Sequence, residues 1–293
     1  MAVLAAALLF STAGIAIKLT TLSIWQVAGF RAGIGAVAIY AALPGARRGW
    51  TLRTWLIGAA YAATVILFVA ANKTTTSANA IFLENTAPLY MLLLGPLVLR
   101  EPVRKLDLAV IGAVAAGAFL LLRGSVAATG SAPDPETGNI LALISGLTWA
   151  ITITGLRRAA TQRPYGGQYD SSAAAVIAGN VIAFTVCLPM ALPIHEISGI
   201  NLAALVYLGV FQVGLAYVFL TRSLKNVPGI EASTLLLAEP VFNPLWTWLA
   251  RGERPGYSAL CGGALIVLST FLATLWRTMS GRDRTKFTSI SQR

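Results

Sequence analysis

The chain has 293 residues, 56% of them hydrophobic and 11% charged, with a formal charge of +11 and a mean hydropathy of +0.72. Soluble domains carry about 25% charged residues, so the apolar surplus must face something other than water, and a two-domain soluble protein is excluded. The positive charge does not point to nucleic acid, because the 22 basic residues sit in the breaks between apolar runs instead of forming one face.

Apolar runs of about 17 to 25 residues, the length that crosses a bilayer, follow one another from end to end. Ten transmembrane helices are predicted, over 2–19, 23–43, 53–72, 76–99, 106–123, 139–158, 170–190, 201–223, 228–250 and 256–276. Helices are required, since a lipid-exposed strand leaves backbone groups unpaired. The first run reads as a span, with no cleavage site of small residues after it. The stretch RGSVAATGSAPDPETGN, residues 123–139, is rich in Gly, Pro and Ser and reads as a linker. The expected organisation is a first five-helix half at 1–123, an external linker at 124–138, a second half at 139–276 and a basic cytoplasmic tail at 277–293.

With the N-terminus placed in the cytoplasm, sixteen basic residues fall on that side, five of them in the tail. Lys18, Lys73, Arg123, Arg251 and Arg254 fall outside, and Arg31 lies within a span. This asymmetry predicts that both termini are cytoplasmic. The halves also resemble one another. At an offset of 152, Lys73 meets Lys225, Ala80 meets Ala232, Leu83 meets Leu235, Pro88 meets Pro240, Glu101 meets Glu253 and Phe119 meets Phe271. Near the start of each half an offset of 139 pairs Phe10 with Trp149 and Lys18 with Arg157. Because five is odd, the second half must enter the membrane the other way up, and inverted repeats serve alternating access around a site near the midplane.

LENTAPLYMLLLGPLVLREPV in span four and LLAEPVFNPLWTWLARGERPG in span nine resemble the paired signature of the drug/metabolite transporter superfamily, in its EamA branch. Within that branch the chain is most similar to the YddG-type exporters of aromatic and other hydrophobic amino acids. The resemblance implies an all-α integral membrane protein with a 5+5 inverted-topology repeat around a central cavity. It also implies export of small metabolites across a bacterial inner membrane.

Polar residues inside a bilayer are costly and mark pathways or partners. Arg31 lies 8 residues into span two from Ser23, and Glu84 lies 7 residues into span four from Ser77. Those offsets are roughly 12 and 10 Å at about 1.5 Å per residue. The matching depth predicts an intramembrane Arg31–Glu84 ion pair, acting either as a structural clamp or as a contact for the charged ends of an amino acid. Asn85 is expected to face the same cavity. Glu239 lies 10 residues from Gly229, near the middle of a core about 30 Å thick. Its face continues through Asn243 and Trp246 at helical spacing. It serves as a substrate-ammonium contact, a proton-coupling carboxylate or a hydrogen-bonded spacer. Ser145, Thr148, Trp149 and Thr152 form a polar stripe on span six, Tyr61, Val65, Phe68 and Asn72 share a face of span three, and span eight adds Gln212, Tyr217 and Phe219. Phe10, Tyr61, Phe68, Trp149, Gln212 and Tyr217 therefore join the acids as expected cavity lining. Trp25, Trp50, Trp55 and Trp276 read as interfacial anchors. Pro88, Pro96, Pro240 and Pro244 each remove a helical hydrogen bond, and Pro88, Pro240 and Pro244 are the expected hinges. Gly29 and Gly33 form a GxxxG packing motif.

A membrane enzyme using Glu84 and Glu239 is the remote alternative. The sole histidine, His195, lies in the short loop PIHEISG, and neither an HExxH nor a cysteine nucleophile with a base is present. Cys187 and Cys261 fall in apolar runs as packing residues. No ring of acids suggests a channel, and no GxxxxGK[ST] suggests direct use of ATP. No cofactor or metal is expected. The expected partners are a small-molecule substrate and the lipid bilayer, with the monomer as the functional unit. Nucleobases, drugs or other metabolites remain the alternative cargo.

Overall fold

The computed structural model describes residues 2–94, 105–124, 128–161, 170–194, 197–223 and 236–290. Apart from an isolated bridge between Thr129 and Ala132, the regular structure described is helical. Seven helical runs are long and apolar enough to cross a membrane: Ala2–Leu19, Ile24–Ala42, Leu52–Thr74, Pro135–Leu156, Ser171–Ala191, Gly199–Leu220 and Tyr257–Trp276. Leu108–Arg123 is a shorter apolar helix. The chain is a multi-pass membrane protein. Span four differs from expectation in being broken in the middle; residues 95–104 lie outside the described part. For span nine, residues 224–235 lie outside it too, as do Pro96, Glu101, His195 and Lys225.

Span one consists of α1 (Ala2–Ser11) and α2 (Ala13–Leu19). At the break the Thr12 hydroxyl donates to the Leu9 carbonyl and the Ser11 hydroxyl to that of Leu8, each at 2.7 Å. Hydroxyls that bond back to the preceding turn compete with the helical ladder. α3 (Ile24–Ala42) begins on a reciprocal cap between Ser23 and Gln26. α4 (Leu52–Thr74) begins on another, between Thr51 and Thr54. Each satisfies two otherwise orphaned N–H groups.

Span four splits into α5 (Ser77–Glu84), capped by Thr76, and α6 (Ala87–Leu94). α7 (Lys105–Arg123) ends the first half. α8 (Pro135–Thr161) starts four residues before the expected 139, so part of the linker is helical. α9 (Ser171–Ala191) follows. Span eight is continuous but irregular: α10 (Gly199–Val206) passes into a π-helical segment, Tyr207–Leu215, and then α11 (Ala216–Ser223). α12 (Ala238–Arg251) and α13 (Tyr257–Ile290) complete the chain, the latter running past 276 into the expected tail.

The main helix pairs are α4 with α8, α3 with α9, α4 with α9 and α7 with α13. Small residues set these distances. A Cβ on Gly179 would lie 2.6 Å from the Gly58 carbonyl, so α4 and α9 touch backbone to backbone there. The GxxxG of α3 works the same way, Gly29 against Cys187 and Gly33 against Phe184 of α9. One apolar core gathers Ile17, Val27, Val69, Ile81, Leu83, Val114, Leu121, Leu208 and Ile266. A second gathers Ile39, Tyr61, Val65, Ile177, Val213 and Tyr217. Val37, Leu52, Leu108, Ile200, Leu249, Leu268 and Leu272 point outward and are exposed. Outward leucines of this kind are what a lipid solvent requires.

Candidate functional site

Four helix irregularities bring the intramembrane polar residues together. The first is the break between α5 and α6. Glu84 is the last residue of α5, and the Asn85 backbone N–H donates back to Ile81 at 3.0 Å. The Asn85 side chain donates to the same carbonyl at 2.8 Å, and the Thr86 hydroxyl donates to Leu83 at 2.6 Å. Asn85 thus uses one of its two amide N–H groups to close the helix end. The second is the break at Leu237, before α12. Pro88 is the second residue of α6 and Pro240 the third of α12. Both therefore sit in a first turn, where the missing N–H is an orphan anyway. Pro88 and Pro240 thus sit at helix starts, which differs from the expectation of hinges within continuous spans. Pro244 alone of the three lies inside a helix, and α12 runs on through it.

The third irregularity is the π-helical segment, and such segments recur at functional sites. It carries Gln212, whose Oε1 accepts from Arg31 Nη1 at 3.4 Å. Arg31 Nη2 donates to the Val65 carbonyl at 3.5 Å, and Nε has no partner. Arg31 is 3% exposed. Glu84 accepts at 2.8 Å from Ser145 of α8, a hydroxyl that also lies 3.3 Å from the Thr64 carbonyl. Arg31 and Glu84 are within electrostatic reach of one another but form no ion-pair contact. The expected direct pair is corrected, since a glutamine and a backbone carbonyl hold the guanidinium while a serine holds the carboxylate. Glu239 faces the same region, within electrostatic reach of Glu84 and Tyr217. It has no hydrogen bond or ion pair among the described residues.

Around these groups stand aromatic rings. Tyr217 meets Phe10 edge-on at 5.3 Å and Tyr61 edge-on at 5.8 Å. Phe10 and Trp149 pack on the core that contains both tyrosines. Asn180 of α9, absent from the expected lining, donates to the Tyr61 hydroxyl at 3.4 Å. Phe68 sits instead in the other core, with Val69 and Ile17. The stripe on α8 faces α4: Thr64 donates to Thr148 at 2.9 Å, and Thr152 bonds its own helix at the Thr148 carbonyl.

The fourth irregularity is the Thr12 break, whose role the pattern of apolar runs does not foretell. Trp246 Nε1 donates to Ser11 Oγ at 2.9 Å, and Thr12 shares a 2.8 Å hydrogen bond with Tyr207 of the π segment. Trp246 stacks on Phe242 at 5.8 Å. Asn243 is fully buried with neither amide atom partnered. It presses on Gly14, where a Cβ would meet its Oδ1 at 2.5 Å. Paired hydroxyls such as Ser11-Thr12, next to a run of alanine and leucine, are the signal in the sequence for this break.

The EamA-like transporter family matches residues 1–123 and 136–275. The chain belongs to the EamA-like transporter family. It is also 26% identical over 214 residues to an uncharacterized transporter of Archaeoglobus fulgidus, covering 69% of this chain and 68% of that one. A solved crystal structure shares the fold, with a TM-score of 0.64, 22% identity, and coverage of 94% of this chain and 96% of the other. As an EamA-family member the chain is a membrane transporter, and its two matched segments meet at the residues just described. Arg31, Tyr61 and Glu84 come from the first segment; Ser145, Gln212, Tyr217 and Glu239 come from the second.

Proposed function

We propose that this EamA-family protein is a secondary carrier exporting small hydrophobic or aromatic amino acids, or related metabolites, by alternating access. In this reading ten helices form a 5+5 inverted repeat in a bacterial inner membrane. Both termini are cytoplasmic and the monomer is the working unit. The observation that carries it is the meeting of Arg31, Glu84 and Glu239 with Phe10, Tyr61 and Tyr217 where helices are broken or locally widened into a π turn. A zwitterion with a planar side chain needs a cationic donor for its carboxylate, an acid for its ammonium and rings for its side chain. Glu239, with no partner of its own among the described residues, is the free acid. Arg31 holds Gln212 through a long contact that a carboxylate could displace.

The test is uptake by purified protein in liposomes of tryptophan, phenylalanine, threonine and adenine, each with and without a pH gradient. Saturable tryptophan or phenylalanine flux that Glu239→Gln abolishes supports the reading. Adenine flux alone keeps the carrier and replaces its cargo.

A further inference from the structure

The ion pair at contact distance among the described residues lies away from the candidate site. Lys18, at the end of α2, places Nζ 2.9 Å from Glu253 Oε2, in the loop after α12. The two side chains are 3% and 7% exposed. Lys18 also donates to the Thr75 carbonyl at 2.8 Å and to the Ser131 carbonyl in the linker. The ammonium thus sits among one carboxylate and two carbonyls, and its contact with Glu253 Oε2 is an ion pair by distance, without hydrogen-bond geometry. The other oxygen of Glu253 accepts at 2.6 Å from the Ser77 backbone N–H, the first residue of α5. Beside this cluster Lys73 donates to the Thr20 carbonyl and hydroxyl at 2.6 and 2.9 Å. Thr75 and Asn79 both donate to Asn139 of α8. Thr21 and Asn201 exchange two hydrogen bonds. Every one of these links lies at the bundle end that carries the linker.

We propose that Lys18 and Glu253 are a gate that seals this end and must part in each transport cycle; the proposal rests on the transporter reading of the chain. Lys18 belongs to the first matched segment and Glu253 to the second, so the halves cannot separate here while the pair holds. A buried ion pair is a suitable latch. Its attraction is largely offset by the desolvation of both ions, so opening to water returns much of what breaking it costs. The latch is also connected to the site. Glu253 holds the N-terminal end of α5, and Glu84 is that helix's C-terminal residue, about 10 Å away along one rigid helix. Movement of α5 at the gate therefore moves the Glu84 carboxylate, and occupancy at Glu84 bears on the gate.

The experiment uses the full chain in lipid nanodiscs, where both faces are open to reagent. Cys187 and Cys261 are replaced by alanine and serine, and Thr75→Cys, at a position with no exposure, reports opening. Glu253→Gln and Lys18→Met are each expected to raise the rate at which an impermeant maleimide labels this cysteine by roughly tenfold, the scale of one hydrogen bond to a charged group. Unchanged labelling in both overturns the gate. The second arm joins Lys18→Cys to Glu253→Cys with a bifunctional thiol reagent and follows tryptophan flux in liposomes. Flux that stops on bridging and returns on reduction supports the gate. Flux that continues through the bridged protein makes the pair a static clamp and overturns it. If tryptophan is not carried even before bridging, the cargo reading fails, and the labelling arm, which needs no cargo, decides the gate.

Discussion

Ser145→Ala tests whether the candidate site holds Glu84 through its hydroxyl. The substitution removes one oxygen from a fully buried position and leaves the Cβ in place, so the packing loss is small. What goes is a 2.8 Å hydrogen bond to the Glu84 carboxylate. A hydrogen bond to a charged group contributes about 1.5 to 3 kcal/mol, against about 1 for a neutral pair. For a chain of this size, at about 2.1 cal/mol/K of unfolding entropy per residue, that corresponds to an apparent Tm lower by roughly 2 to 5 °C. The weaker 3.3 Å contact to the Thr64 carbonyl adds little. The assay is thermal unfolding in detergent of the wild type, Ser145→Ala, Glu84→Ala and the double variant. If the hydroxyl acts through the carboxylate, Ser145→Ala costs much less once Glu84 is gone, giving a coupling of about 1 kcal/mol or more. Equal losses in both backgrounds would show that Ser145 stabilises α8 by another route, and the account of Glu84 as a held carboxylate fails.

Gly179→Leu is expected to prevent recovery of folded protein by size-exclusion chromatography, because its side chain would enter the Gly58 backbone; Gly112→Ala, with open space around it, should behave as wild type. Trp246→Phe removes the indole donor to Ser11 and should lower stability by about 1 kcal/mol, a loss that Ser11→Ala reproduces and that does not add in the double variant. Asp134, exposed at the start of α8, has its carboxyl held below the usual carboxylate range by the Thr137 side chain and by the Thr137 N–H, which donates to it at 3.2 Å. Its contribution is therefore present above the unfolded pKa of about 3.9 and lost as pH falls through the lower folded value. Asp134→Ala should be slightly less stable than wild type at pH 7 and indistinguishable from it at pH 2, read as the difference between their melting curves.

The spans plainest in the sequence, at 2–19, 23–43, 53–72 and 170–190, are those whose ends are marked by caps or by charge and whose interiors are mainly apolar. Ser23 and Thr51, each a hydroxyl just ahead of an apolar run, mark the starts of α3 and α4 by residue type alone. The buried acids and Arg31 are equally legible, because a charge inside an apolar run needs a reason to be there. Their partners are not. Matching depth along two helices gives Arg31 and Glu84 the same height in the membrane, but height leaves rotation about each axis free. Gln212 and Ser145 take the positions next to them. The latch is hidden for a similar reason: Lys18 and Glu253 each read as a loop charge at a helix end, and 235 positions separate them. Hydropathy windows also average over a break of one or two residues, so α1 with α2 and α5 with α6 each look like one span.

Those breaks give the fold its mechanical plan. A continuous helix transmits a push along its axis and satisfies its own backbone; a break frees carbonyl and N–H groups and permits the two pieces to move separately. Thr12, Asn85 and Leu237 interrupt three spans, and the π segment underwinds a fourth. Ser11 and Thr12 bond across to Trp246 and Tyr207, so the break in the first span is tied to the ninth and the eighth. Glu84 lies at the second break and Glu239 two residues beyond the third. The acids thus lie where the backbone is least committed to a single helix axis. Pro88 and Pro240 complete the arrangement as the second residue of α6 and the third of α12, first-turn positions whose nitrogen needs no hydrogen bond. A proline in a membrane helix can therefore mark where a helix begins instead of where one bends, as Pro88 and Pro240 do here.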